Sequence, residues 1–205
     1  MIISEIFHSI QGEGPNAGKP AVFLRLSGCN LRCKWCDTKY AWKQGGEMET
    51  NDIIRAIRKY PCRHLVITGG EPLLQQNGLK ELLKKLKNYT VELETNGSVA
   101  CRITGFIEQI NCSPKLKNSG NPPYSLRVKP ANKKVLYKFI VQEGEDLKEI
   151  NAFIRKYKIP KTSVYLMPEG TSRATILKRS GWLVESCKKE GYNFSSRLHI
   201  IMNIK

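Results

Sequence analysis

Short apolar runs alternate along the chain with longer segments in which apolar residues recur every three or four positions. Runs rich in β-branched and aromatic residues predict buried strands. These runs are PAVFLRLSG (20–28), HLVIT (64–68), VELET (91–95), IEQINCS (107–113), VLYKFIVQ (135–142), SVYLM (163–167) and RLHIIMNI (197–204).

The intervening segments predict amphipathic helices. Ile53, Ile54 and Ile57 mark one helix, NDIIRAIRKY, with Thr50 as its N-cap. Further helices are predicted over 78–87, 146–157 and 172–190, and a short, poorly marked one before the strand at 107.

Strands that alternate with helices imply right-handed βαβ units and a parallel sheet. About six units follow from residue 20, too few for an eight-fold barrel. The expected fold class is therefore α/β, an open, partial (βα)6-type barrel with a parallel sheet. Without a fixed repeat or a long linker, residues 1–205 are expected to form a single domain.

The 205 residues are 40% hydrophobic and 25% charged, which is typical of a soluble globular protein. No apolar run approaches the roughly 20 residues that a membrane-spanning helix needs. The start, MIISEIFHSIQGEG, lacks the basic segment of a secretory signal, so a cytoplasmic location is expected.

The net charge of +16 permits several interpretations. Lysines such as those of LKELLKKLKN can simply solvate helix faces, or the charge can serve nucleic acid, an anionic substrate or an acidic redox partner. No aromatic-rich basic RNA-binding module is visible, so no stable nucleic-acid partner is expected.

Three of the seven cysteines lie within eight residues, in GCNLRCKWCDT. Thiolates favour iron–sulfur clusters or zinc, and a structural zinc site needs four protein ligands where only three are local. Cys29, Cys33 and Cys36 therefore predict a [4Fe–4S] cluster with one iron open to another ligand; zinc with a distant fourth ligand, or no metal, are the alternatives. The other four cysteines are scattered and predict small buried residues.

Loops of unusual composition follow the predicted strands. They are the cysteine loop, Gly69-Gly70-Glu71-Pro72, Glu94-Thr95-Asn96-Gly97, Ser113-Pro114-Lys115 and Met167-Pro168-Glu169-Gly170. Because the chemistry of parallel α/β sheets gathers where strands end, these loops predict one active-site rim.

The C-x3-C-x2-C spacing, with Trp35 before the last cysteine and a Gly-Gly-Glu-Pro loop after a later strand, resembles the radical S-adenosylmethionine (SAM) superfamily. The resemblance implies that the open iron chelates SAM, which is cleaved to a 5′-deoxyadenosyl radical. It also implies that Glu71 accepts a hydrogen bond from the methionine ammonium.

EIFHSIQGEGPNAGKPAVFLRLSGCNLRC resembles the 7-carboxy-7-deazaguanine synthase family of the queuosine pathway. The resemblance continues in order through CDT, TGGEPLLQ, ETNG, SPK, KFIV, LMPEG and RLH. It implies a radical ring contraction of 6-carboxy-5,6,7,8-tetrahydropterin to 7-carboxy-7-deazaguanine and ammonia, with no side chain as the hydrogen donor.

The resemblance also implies roles for individual residues. SAM contacts fall on Trp35, Gly69, Gly70, Glu71, Glu94, Ser113, Pro114, Lys115, Met167, Pro168, Glu169 and Gly170. Substrate contacts fall on Ile10, Gln11, Gly12, Arg25, Thr68, His199 and the terminal Lys205.

Three of these assignments have competing interpretations. The Gln11 segment can be a turn after an edge strand. Arg25, a charge within an apolar strand, can clamp a substrate carboxylate or form a buried ion pair. Thr38 matches a Mg²⁺ ligand, but its hydroxyl can equally cap a helix.

The implied partners are the carboxylated pterin, an acidic flavodoxin- or ferredoxin-type electron donor and a second copy of the chain in a homodimer; no membrane partner is expected. The nearest alternative function is a glycyl-radical activase, another small radical SAM enzyme that lacks the QGEG start. A zinc-stabilised, basic RNA-binding module is an alternative of a different class.

Overall fold

The computed structural model describes residues 1–130 and 134–205. The strands are β1 (Ile2–Ile10), β2 (Pro20–Leu26), β3 (Gly46–Glu47), β4 (His64–Gly69), β5 (Thr90–Thr95), β6 (Gln109–Cys112), β7 (Val135–Val141), β8 (Val164–Pro168) and β9 (Asn193–Phe194). The helices are α1 (Thr50–Arg58), α2 (Gln76–Lys84), α3 (Gly144–Tyr157), α4 (Arg173–Glu190) and α5 (Leu198–Met202). None of the helices in these two ranges is long and apolar enough to cross a membrane.

All nine strands belong to one sheet, in the order β3-β1-β2-β4-β5-β6-β7-β8-β9. From β2 to β9 every neighbouring pair is parallel, whereas β1 pairs antiparallel with both β2 and β3. The end strands β3 and β9 do not pair with each other, so the sheet stays open. The predicted open α/β barrel is confirmed.

The two faces of the sheet differ in polarity because side chains alternate along each strand. Leu24 and Leu26 of β2 and Leu93 of β5 join the apolar core, to which the helices contribute residues such as Ile53 and Leu79. Polar side chains occupy the alternate positions, and they are Arg25, Thr68, Glu92, Glu94, Asn111 and Lys138. The sheet therefore carries a polar inner face.

Two predicted elements differ from the structure. The segment 197–204 is not a strand, because Leu198–Met202 form α5, with the N–H groups of Ile200 and Ile201 donating to the Arg197 carbonyl. A short apolar run does not distinguish helix from strand by itself. In addition, α1 begins at Thr50 with Glu49 as N-cap, and no side chain caps it.

The apolar runs did not predict β1, an antiparallel strand ahead of the first predicted one, although the turn interpretation of Gln11 placed a strand before that residue. Of the scattered cysteines, Cys112 and Cys187 are buried as predicted, whereas Cys62 and Cys101 are half-buried against the core.

Candidate active site

A cavity of about 490 Å³ opens at the carboxyl ends of the parallel strands. Predicted site residues that line it are Ile10, Gln11, Gly12, Arg25, Cys29, Cys33, Trp35, Cys36, Thr38, Thr68, Gly69, Gly70, Glu94, Ser113, Lys115, Met167, His199 and Lys205. Segments from both ends of the chain thus lie next to the loops that follow the parallel strands, and together they surround one cavity.

The three clustered cysteines all face this cavity and are free thiols. The Cys33 sulfur accepts a hydrogen bond from the Asn121 side-chain amide at 3.1 Å, and the Cys29 sulfur accepts from the Leu31 N–H at 3.4 Å. Burial raises the pKa of the Cys29 and Cys33 thiols. A bound metal has to displace those protons, as metal binding to thiols does generally.

No group of three or more His, Cys, Asp or Glu side chains among the described residues could hold a single metal ion. In a [4Fe–4S] cube each thiolate binds a different iron, so its ligands are spread more widely than those of a tetrahedral zinc ion. The donor set of three free thiols around one cavity fits the cluster.

The glycines after β4 allow two backbones to touch. A Cβ on Gly69 would overlap the Leu26 backbone, and Gly69 adopts φ +134°, a conformation that favours glycine. A Cβ on Gly70 would overlap the Gly28 carbonyl. The Gly69-Gly70 turn therefore packs directly on the start of the cysteine loop.

Glu71, predicted to contact the methionine ammonium, is surrounded by donors of the chain itself in this structure. Its side chain is 1% exposed and is not part of the cavity wall. The carboxylate accepts from the Leu73 and Asn96 N–H groups at 3.0 and 2.7 Å and from the Thr95 hydroxyl at 2.8 Å. In this structure Glu71 organises the loops after β4 and β5.

Arg25 and Thr68 are neighbours because β2 and β4 pair with these two residues in register. The Arg25 Nε donates to Glu5 Oε1 at 2.7 Å, so the ion-pair interpretation of Arg25 is correct for Nε. Neither Nη atom has a hydrogen-bond partner in the described ranges. Both the ion pair and the predicted clamp are thus compatible with one guanidinium.

The segment after β1 folds over the inner face. Gln11 is 3% exposed, and its amide nitrogen donates to Glu92 Oε1 at 2.6 Å. Gly12 accepts from the Leu198 N–H at 2.9 Å, and a Cβ on Gly12 would overlap the His199 ring. Contact between the β1–β2 loop and α5 closes this side of the cavity.

A charge cluster lies beneath that contact, and of its members the sequence interpretation assigned only Glu94 to the site. Lys138, 1% exposed, pairs with Glu13 at 2.8 Å and with Glu94 at 2.7 Å. Arg197 pairs with Asp37 and lies 3.4 Å from Glu13. Lys138 stands in the apolar run VLYKFIV, the same signal that singled out Arg25 in β2.

The cluster determines the charge states of its carboxyls. Burial works to raise the pKa of Glu13, but Lys138 and Arg197 hold it to about 2. Asp37 has a lowered pKa because His199 and Arg197 outweigh its burial. Glu94 has a raised pKa through burial and the nearby Glu92 and Glu13 carboxylates, despite its contact with Lys138.

Thr38 precedes a short 3-10 helix, but its side chain makes no capping hydrogen bond, so the capping interpretation is wrong. The nearest side-chain partner of its hydroxyl is the Cys36 sulfur at 3.7 Å. At the chain end, the Lys205 ammonium pairs with Glu5 at 2.5 Å. Both residues line the cavity.

Several predicted SAM positions do not line the cavity. Besides Glu71 these are Pro114, Pro168, Glu169 and Gly170. Glu169 pairs with Arg179 on α4, and the Gly170 carbonyl accepts from Arg197 at 2.6 Å. The Gly170 contact thus reaches the cavity wall through Arg197, which lines it.

A family model described as "Radical SAM superfamily" matches residues 24–178. The chain is 38% identical to the 7-carboxy-7-deazaguanine synthase of Pyrobaculum aerophilum over 97% of this chain and 93% of that protein. It is 33% identical to the synthase of Hyperthermus butylicus over 98% and 92%. The crystal structure of QueE from Escherichia coli is similar, with a TM-score of 0.76, 27% identity and coverage of 97% and 94%.

Proposed function

The chain belongs to the radical SAM superfamily and, within it, to the 7-carboxy-7-deazaguanine synthases, and we infer that it converts 6-carboxy-5,6,7,8-tetrahydropterin to 7-carboxy-7-deazaguanine with release of ammonia. One observation supports this most directly. Three free thiols and Arg25, whose two Nη atoms have no partner among the described residues, line the same cavity. The residues that would hold the cluster and the arginine that would bind the substrate carboxylate therefore face the same cavity.

Cys29, Cys33 and Cys36 would hold the [4Fe–4S] cluster. The chemistry supplied by a bound, reduced cluster with SAM is hydrogen abstraction by a 5′-deoxyadenosyl radical. The N–H groups of Asn121 and Leu31 that already reach two of the sulfurs would stabilise their thiolate forms.

The SAM site extends from the cluster along the strand ends. Ser113 and Lys115 present a hydroxyl and an ammonium 2.7 Å apart, and the Lys115 Nζ lies 5.5 Å from the centre of the Trp35 ring. The backbones of Gly69 and Gly70 would let SAM approach closely. Glu94 and Met167 complete the SAM side of the cavity wall. These groups would orient SAM by polar contacts at its charged end.

The substrate side lies around Arg25. Its two Nη atoms match the planar geometry of a carboxylate, and Thr68 adds a hydroxyl beside it. Ile10, Gln11, Gly12 and His199 form the opposite wall. The ion pair of Lys138 with Glu13 would hold the β1–β2 loop in place, so the chain's share of catalysis is positioning and exclusion of water.

We assign Mg²⁺ to Thr38. Its hydroxyl faces the cavity without a capping role, and Mg²⁺ keeps several waters and takes few protein ligands. A substrate oxygen and waters would complete its coordination.

The activity needs an external one-electron donor, for which we propose an acidic flavodoxin or ferredoxin. The net charge of +16 favours such a partner. We further propose that the enzyme acts as a homodimer in the cytoplasm, a compartment whose reducing conditions suit seven free cysteines. A glycyl-radical activase is not favoured, since the relatives along the whole chain are 7-carboxy-7-deazaguanine synthases.

The test is anaerobic reconstitution followed by incubation with SAM, reductant, Mg²⁺ and the carboxylated pterin. The expected product has the mass of 7-carboxy-7-deazaguanine. SAM cleavage without that product would contradict the substrate assignment and leave the superfamily intact. Thr38→Ala should raise the Mg²⁺ concentration needed for half-maximal rate, and an unchanged requirement would remove Thr38 from the metal site.

A further inference from the structure

One carboxylate outside the cavity wall joins three parts of that wall. Glu5 on β1 accepts from Arg25 Nε at 2.7 Å, from the Tyr40 hydroxyl at 2.7 Å and from Lys205 Nζ at 2.5 Å. The three donors come from β2, from the segment after the cysteine loop and from the segment after α5. All three line the cavity, whereas Glu5 itself does not.

The contact with Arg25 controls which edge of the guanidinium is free. Glu5 uses Nε alone, so the edge formed by the two Nη atoms has no partner in the described part of the chain. The guanidinium carbon also lies 5.5 Å from the centre of the Phe7 ring, which stacks on Phe23. Held at one edge and on one face, Arg25 retains little freedom to rotate.

The contact with Lys205 fastens the segment that follows α5. The Lys205 Nζ lies 4.9 Å from the centre of the same Phe7 ring, and Ser9 donates its hydroxyl to the Lys205 main-chain oxygen at 2.5 Å. Because α5 carries His199, these contacts on β1 keep the His199 wall closed against the cavity.

The charges of Glu5, Arg25 and Lys205 distinguish a purely electrostatic role of Glu5 from a positioning role. Burial works to raise the pKa of Glu5, but hydrogen bonds from Lys205, Tyr40 and Arg25 lower it overall, so the group is an anion at neutral pH. One anion against two cations leaves a single positive charge for the substrate carboxylate. If electrostatics alone mattered, neutralising Glu5 would strengthen the binding of that carboxylate.

We propose that Glu5 is a positioning residue, which aims the Nη edge of Arg25 at the substrate carboxylate and fastens the segment after α5 over the cavity. This inference rests on the proposed function. It predicts the opposite sign from simple electrostatics, namely weaker substrate binding when Glu5 loses its charge.

The test measures Glu5→Gln in the reconstituted enzyme, with Glu185→Gln as control because Glu185 is exposed and, in the described part of the chain, pairs only with Lys188. We expect KM for the carboxylated pterin to rise about tenfold or more, with kcat changed less than about threefold. SAM cleavage without pterin should be unchanged. Glu5→Asp, which keeps the charge, should restore part of the affinity.

A second measurement isolates the carboxylate. The preference for the carboxylated pterin over tetrahydropterin without the carboxylate, taken from inhibition constants, should fall about tenfold in Glu5→Gln. In an Arg25→Ala background the Glu5→Gln change should have no further effect on this preference. If Glu5→Gln is poorly folded, Lys205→Met, which removes the exposed partner of Glu5, should still raise KM for the carboxylated pterin, by about threefold.

An unchanged or lower KM in Glu5→Gln, an equal loss of pterin-free SAM cleavage, or a full effect of Glu5→Gln without Arg25 would each overturn the inference. If the wild-type enzyme does not turn over the carboxylated pterin, the proposed function fails and the inference fails with it. Turnover by the wild type with an unchanged KM in Glu5→Gln refutes the inference alone.

Discussion

Lys138 on β7 and Glu13 in the β1–β2 loop form an ion pair, with 2.8 Å between Nζ and Oε2, across 125 positions of the chain. The ammonium also contacts Glu94 at 2.7 Å and is almost completely buried. The pair thus attaches the loop that covers the cavity to β7 of the sheet.

Lys138→Met should therefore destabilise the fold. It leaves the half-buried Glu94 carboxylate without the cation it pairs with and leaves Glu13 with Arg197, which costs about 3 kcal/mol of unfolding free energy, the lower end for a broken buried ion pair. Urea denaturation of the apoprotein measures the change. Lys148→Met is the matched control, because its pair with Glu145 is exposed and contributes less than about 1 kcal/mol. Equal stability of the two variants would contradict the importance of the buried pair.

The pH dependence of stability should contain a contribution from Glu13. Its pKa of about 2 in the fold is below its ordinary value of 4.5, so its stabilisation is complete above about pH 4.5 and is lost as the pH falls toward 2. From about pH 6.5 to about pH 3.5 the stability difference between wild type and Glu13→Gln should shrink by about 1 kcal/mol. A difference that stays constant over this range would refute the ionised state of Glu13.

Gly70→Ala should disrupt the contact between the Gly-Gly turn and the cysteine loop, because the new Cβ overlaps the Gly28 carbonyl. Overpacking of this kind costs about 1–3 kcal/mol, and SAM cleavage should fall sharply. Gly105→Ala, where a Cβ meets open space, is the control for both measurements. Normal SAM cleavage by Gly70→Ala would show that the two loops can separate without consequence.

Cys33→Ala should remove the cluster, since two thiols cannot hold the cube that three would bind. Iron and sulfide content after anaerobic reconstitution should drop to background, and SAM cleavage with it. Cys62→Ala, half-buried and outside the cavity, should keep full iron content. Retention of a SAM-cleaving cluster by Cys33→Ala would overturn the ligand assignment.

Arg25→Ala should impair pterin binding more than SAM cleavage, because it removes the clamp and leaves the cysteine loop intact. We expect KM for the carboxylated pterin to rise at least about a hundredfold, as for loss of a charge-assisted bidentate contact. Arg55→Ala, an exposed arginine paired with Asp52, should leave both parameters unchanged. Equal loss of pterin binding and SAM cleavage would indicate a purely structural role.

Much of the architecture is determined by local pattern. The parallel strands follow from β-branched runs, and the helices follow from apolar residues at helical spacing, as with Ile53 and Ile57 in α1. The cysteine loop is local too, because three thiols within eight residues need no other segment to mark a cluster site. Arg25 is recognisable because a charge in an apolar strand needs a partner.

Other features depend on contacts that no local pattern contains. The run 197–204 is as apolar as a strand, yet Leu198–Met202 form α5, and the Leu198 N–H donates to the Gly12 carbonyl in the β1–β2 loop. Glu71 was expected to contact a ligand, and the end of β5 brings two donors, Thr95 and Asn96, to its carboxylate in addition to the Leu73 N–H of its own loop. In both cases the path of another segment decides the outcome.

By itself, the sequence determined the order of strands and helices, the cluster loop and the strand-borne arginine, because periodicity and ligand spacing act over a few residues. Only the tertiary structure decided which charges meet, such as Glu13 with Lys138 and Glu5 with Lys205. Ion pairs between distant segments depend on strand register and loop path, and a buried charge accepts whichever partner that geometry brings within reach.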